Sequence, residues 1–150
     1  MAQGDITLFN EFKKDVGEKV HNLGSDTFKL GLITNAVTPA ASTADPRWGA
    51  SGSTNFASSQ VTPGGNYSTG GPTIASTTWT ESAGVVTFDG TDVSIASNGS
   101  NPNNARWGII YNDTSTGKEC VGFLDLGGVT DLTAGAFAAN WSASGIFTFT

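Results

Sequence analysis

Reactive and charged side chains are scarce in this chain. Its 150 residues include one cysteine, Cys120, and one histidine, His21. A lone cysteine excludes an intrachain disulfide and fits a reducing compartment. A single histidine excludes a pair of catalytic histidines and an HExxH zinc site. Cys120 falls on an expected central strand, where cysteine behaves as a small buried hydrophobe rather than a nucleophile. His21 falls beside an expected helix end and reads as a helix-terminus cation. Charged residues make up only 13% of the chain, and the seven Lys and Arg are scattered within a net charge of -6. Phosphate binding needs clustered cations, so no nucleic-acid partner is expected. No apolar run approaches the roughly 18 residues of a membrane span. The opening MAQGDITLFNEFKKDVG lacks the basic and apolar stretches of an export signal. The expectation is therefore a soluble chain with no membrane partner. Twenty glycines are present, but neither GxxxxGK[ST] nor GxGxxG follows a predicted strand, so no nucleotide site is implied.

The residues that are there organise into one β-rich domain over 1–150, since 37% hydrophobic content at this length suits a single core. Region 1–24 carries the one helical signal. Phe9, Phe12, Val16, Val20 and Leu23 recur at helical spacing, with Lys13, Lys14, Glu18 and Lys19 largely opposite. Asp5 or Thr7 is placed to cap this amphipathic helix, Gly17 weakens it by about 1 kcal/mol, and Gly24 suits its end. After Gly24 the period becomes two. TFKLGLI alternates Phe28, Leu30 and Leu32 with Thr27, Lys29 and Gly31, the pattern of a half-buried strand. Further strands are expected at Thr77–Thr80, Val85–Phe88, Thr91–Ile95, Arg106–Tyr111, Cys120–Leu126 and Gly145–Thr150. Asp89-Gly90 is a short hairpin signal that predicts a tight hairpin from Val85 to Ile95. CVGFLDL is apolar on both alternating faces and reads as a central strand, and the closing IFTFT as a strand tied into a sheet. The expected fold is mainly β, a β-sandwich or barrel-like antiparallel sheet with one N-terminal helix.

Between these elements lies DPRWGASGSTNFASSQVTPGGNYSTGG, residues 45–71. Two of its 27 residues are charged and sixteen are Gly, Ser, Thr or Asn, types that disfavour helix and strand. It is expected to be a long loop or arm. Trp48, Phe56 and Tyr67 stand out in these polar surroundings, with Arg47 beside Trp48. Aromatic and Arg side chains dominate binding interfaces, so these four are the candidate partner-interface residues, the alternative being that the segment folds back and packs its aromatics locally, with Trp48 in the core. Trp79, Trp107, Tyr111 and Trp141 instead lie among expected strands and read as core.

Carboxylates are numerous enough to be weighed as a site. Asp89 and Asp92, with Asp113 or Asp125, are candidates for a calcium cluster or a glycosidase pair. Aspartate in turns is explained by hydrogen bonding to its own backbone, which makes turn chemistry the better account. No catalytic residue, metal site or cofactor is expected. The sequons at Asn66, Asn98, Asn112 and Asn140 follow from the abundance of Asn, Ser and Thr.

LFNEFKKDVGEKVHNLGSDTFKLGLIT, the glycine-rich middle with GGNYSTGG, RWGIIYNDTSTGK, FLDLGG and the closing FAANWSASGIFTFT together resemble a group of small virion proteins of tailed bacteriophages. The resemblance runs over nearly the whole chain, in order and flavour rather than in a catalytic signature. It implies a non-enzymatic capsid decoration, or cement, protein. The implied partners are the major capsid protein and further copies of the chain itself, in a homo-oligomer such as a trimer. The implied location is the outer capsid surface of a virion assembled in the host bacterial cytoplasm. A tail, neck or adaptor component and a carbohydrate-binding module on the virion surface are the alternatives.

Overall fold

A computed structural model describes residues 5–150. The chain runs through β1 (Ile6–Leu8), α1 (Asn10–Gly17), β2 (Phe28–Ile33), the two-residue β3 (Pro46–Arg47) and β4 (Thr54–Asn55), then β5 (Thr78–Ser82) and β6 (Val85–Asp89). It closes with β7 (Val93–Ile95), β8 (Ala105–Asn112), β9 (Cys120–Thr130), β10 (Phe137–Ala139) and β11 (Phe147–Phe149). Over the described residues the fold is mainly β, with several antiparallel sheets and one α-helix. The largest sheet has the order β1-β9-β8-β2, a second has β11-β6-β5, and β10 pairs with β7. The apolar β9 is an interior strand, and the C-terminal β11 is paired to β6, both as their residue patterns predict. Among the described residues no helix is long and apolar enough to cross a membrane.

Aromatic rings join these layers. Phe28 of β2 meets Phe88 of β6 edge-on at 5.0 Å between centroids, and Phe12 of α1 meets Phe147 of β11 edge-on at 5.3 Å. The opposite face of the large sheet is covered as well. Gly31 and Tyr111 lie under Trp48, and Phe123 meets Phe9, which stacks on Phe56. β2 is thus buried on both faces rather than half-buried, because the 45–71 segment folds down over the face that Lys29 and Gly31 share.

Three local expectations are corrected. The helix stops at Gly17 instead of continuing to Leu23, and Lys19 takes a left-handed φ of 63° that turns the chain back. Phe9 occupies the N-cap without a side-chain cap bond, while Thr7 is spent in β1. Gly17 adds backbone entropy at the helix end, and Leu23 gains its burial from the turn instead. The tight hairpin does not join Val85 to Ile95. Phe88 pairs with Trp79 and Phe147, and β7 pairs with β10. The hairpin closes one turn earlier, through Ala83 (φ 51°) and Gly84 (φ 83°), with Glu81 Oε1 accepting the Gly84 N–H at 2.7 Å. Gly90 instead permits close packing, since a Cβ there would lie 2.7 Å from Ile74 Cγ2.

Candidate functional site

The long polar segment is not a free arm. Its backbone sheathes the outer edge of β2. Val61 N–H donates to the Leu32 carbonyl (3.1 Å), and Thr34 N–H to Ser59 (3.0 Å). Just beyond the segment, Leu30 N–H donates to Pro72 (3.0 Å) and Ile74 N–H to Phe28 (2.9 Å). An uncovered strand edge invites pairing with other chains, and these bonds remove that liability. Two tyrosines fasten the covering. The Tyr67 hydroxyl accepts the Leu32 N–H at 2.8 Å, and the Tyr111 hydroxyl donates to the Gly70 carbonyl at 2.9 Å. Burial pushes the Tyr67 phenol up to about 12, so it stays protonated.

The four candidate interface residues are placed accordingly. Trp48 is 8% exposed and stacks on Tyr111 at 4.9 Å with rings 5° from parallel, while Phe56 and Tyr67 are fully buried. Arg47 is held by Asp45 (Nε to Oδ1, 2.6 Å) and ion-paired with Glu119. The expectation of a mobile arm with exposed aromatic anchors is therefore corrected, for Trp48, Phe56 and Tyr67 are buried within the chain's own fold. The sequence does carry a signal for this. A glycine inside a strand marks a place where another group approaches closely, and Gly31 sits under the Trp48 ring.

The candidate carboxylates are dispersed. Asp92 accepts the Trp141 N–H (2.8 Å), Asp113 pairs with Lys118 (2.9 Å) and Lys29 (3.2 Å), and Asp125 pairs with Arg106. Among the described residues no group of three or more His, Cys, Asp or Glu could hold a metal ion. Cys120 is buried, and burial raises its thiol pKa well above the ordinary value.

His21 departs most from expectation. It is 7% exposed, lies 5.1 Å from the Phe12 ring, and is no helix-terminus cation, since the helix ends before it. Asn112 Oδ1 accepts the N–H groups of Thr114 (2.9 Å) and Ser115 (3.1 Å), so its Nδ2 donates to Asp26 (2.7 Å) and to His21 Nδ1 (3.2 Å). Nδ1 is then an acceptor, and neutral His21 carries its proton on Nε2. That Nε2–H is buried without a partner. Burial, against the opposing charges of Glu119 and Asp26, lowers the His21 pKa from 6.5 to about 4.

This shift gives stability a pH dependence. Between pH 6.5 and about 4 the unfolded chain binds a proton that the folded chain refuses. The contribution is complete above 6.5 and is lost as pH falls through the window, to a total of about 3 kcal/mol. Glu119 and Asp113 add losses at lower pH. Burial acts to raise both, but hydrogen bonds from Ser115 and Arg47 to Glu119 and from Lys118 and Lys29 to Asp113 outweigh it. Asp15, raised by burial, has the opposite sign. Denaturant unfolding of wild type and His21→Asn across this range isolates the histidine. The slope above the carboxylate range is expected to disappear in the variant; an unchanged slope would assign it elsewhere.

Beside His21 is a cleft of about 400 Å³ between the end of α1 and β5, lined by Val16, Lys19, His21, Asn22, Leu23 and Trp79. Sequence reasoning passed over it because the six residues come from the end of α1, the turn after it and a strand, with 56 positions between Leu23 and Trp79. The chain matches no family model, no curated protein and no solved structure.

Proposed function

We propose that this chain is a non-enzymatic structural protein of a tailed-bacteriophage virion, a capsid decoration protein that binds the outer shell and stabilises contacts between major capsid protein subunits. The sequence resemblance supports this reading. The observation that carries it in the fold is the locked 45–71 segment. A Ser/Thr/Gly-rich surface held by main-chain bonds to β2 and by two buried tyrosines offers a preformed body, which loses little conformational freedom on docking. Many modest contacts then add through multivalency across the shell.

The attachment surface moves away from Arg47, Trp48, Phe56 and Tyr67. Its place falls to the outer strand β5, where Thr78, Thr80, Glu81 and Ser82 are exposed, and to the exposed 97–100 loop. Self-association into a closed ring would use the β5 edge. Copy number per purified particle tests the reading. A copy number that scales with the major capsid protein is expected, together with lower heat resistance of particles lacking the chain. A small ring-like complement would instead place it in the tail or neck, and absence from particles would overturn the proposal.

A further inference from the structure

The cleft beside His21 has a one-sided chemistry. Its polar residues carry donors: the exposed Lys19 ammonium, the Asn22 amide NH2, whose oxygen is taken by the Gly24 N–H at 3.3 Å, and the His21 Nε2–H, which is buried and without a partner in the free fold. Trp79 adds an indole N–H. None of the described lining residues is a carboxylate. Val16, Leu23 and the half-buried Trp79 supply the apolar remainder of the wall. About 400 Å³ lies within the roughly 300–1,000 Å³ of small-molecule sites, which combine an apolar lining with a few convergent polar groups.

We propose that this cleft binds an acidic sugar, a uronic-acid-type pyranose whose carboxylate is taken by Lys19 and the His21 Nε2–H while its C–H face lies against Trp79. One cation matches a monoanion better than a phosphate dianion. A buried donor left unpaired is costly, so an acceptor delivered to Nε2 relieves a penalty that the free protein carries. The ring hydroxyls meet the Asn22 amide. Nε2 is buried in the free fold, so binding requires the groups around it to give slightly. The inference goes beyond a role in the shell and does not depend on it.

Titration of the full chain with glucuronate, galacturonate, neutral methyl glucoside and benzoate, followed by ¹H–¹⁵N NMR, tests the site. The uronates are expected to give saturable shifts at Lys19, Asn22, Leu23 and the Trp79 indole N–H, and to move the His21 Nε2 resonance. Lys19→Asn suits the left-handed backbone at this position and leaves the core untouched. It is expected to weaken uronate binding about tenfold, the size of one charge-assisted contact. Equal binding of methyl glucoside would overturn the role of the carboxylate, and benzoate binding as tightly as the uronates would overturn the sugar. No saturable shift at millimolar uronate would overturn the site itself.

Discussion

Trp48→Ala is expected to destabilise the isolated protein by about 3 to 5 kcal/mol, the range for emptying a large aromatic from a packed site. This is a large share of the about 5–15 kcal/mol that holds a domain together. The indole is held at two places. One face lies on Tyr111, and the outer edge of its six-membered ring meets Gly31, where a Cβ would come within 2.3 Å of Cη2. Its backbone N–H is also bound, donating to the Lys118 carbonyl at 2.9 Å. Gly31→Ala should therefore be destabilising too, because the collision involves a whole ring edge rather than the end of a flexible side chain. The two changes share one contact and should not add. In the Trp48→Ala background Gly31→Ala is expected to cost much less, and urea unfolding of the four proteins in the cycle measures the coupling. Hydrogen exchange supplies a second reading. Val61, Leu30 and Ile74 amides should be protected in wild type and lose protection in Trp48→Ala. Near-wild-type stability of Trp48→Ala with unprotected amides would restore the picture of a mobile arm.

Phe12→Ala carries an effect of similar size, about 3 to 5 kcal/mol. Phe12 is fully buried and joins the helix to the second sheet through Phe147, with Phe149 at 6.4 Å and the His21 ring at 5.1 Å. An eight-residue helix has almost no stability of its own in water, so its existence depends on this docking. Loss of Phe12 should remove helical signal together with tertiary structure in a single thermal transition. If the protein keeps wild-type stability and fails only in self-association, the helix face belongs to an interface between copies instead.

Period-two patterning was enough to find most strands, because alternate side chains must segregate between faces wherever a sheet forms. Cys120–Leu126 reads as interior from its two apolar faces, and it lies between β1 and β8. The C-terminal Phe147 and Phe149 announce a strand for the same reason, and that strand is β11. Local signals failed where a distant partner offered more. Asp89-Gly90 has the chemistry of a tight turn, yet β6 finds β5 and β11, and Gly90 is used for packing against Ile74. The helical spacing of Val20 and Leu23 continues past Gly17, but Lys19 turns back so that His21 reaches Phe12, Phe28 and Asn112. The 45–71 segment shows the division most plainly. Its composition established that it forms no long helix or strand. Whether Trp48, Phe56 and Tyr67 face a partner or their own sheet was decided by the groups waiting on that sheet, the bare Cα of Gly31, the ring of Tyr111 and the free N–H of Leu32. The cleft at His21 likewise exists only where the α1 turn meets β5. A sequence specifies what each residue prefers near itself, whereas a contact between positions far apart depends on which buried surfaces and unpaired hydrogen-bonding groups the rest of the fold leaves to be satisfied.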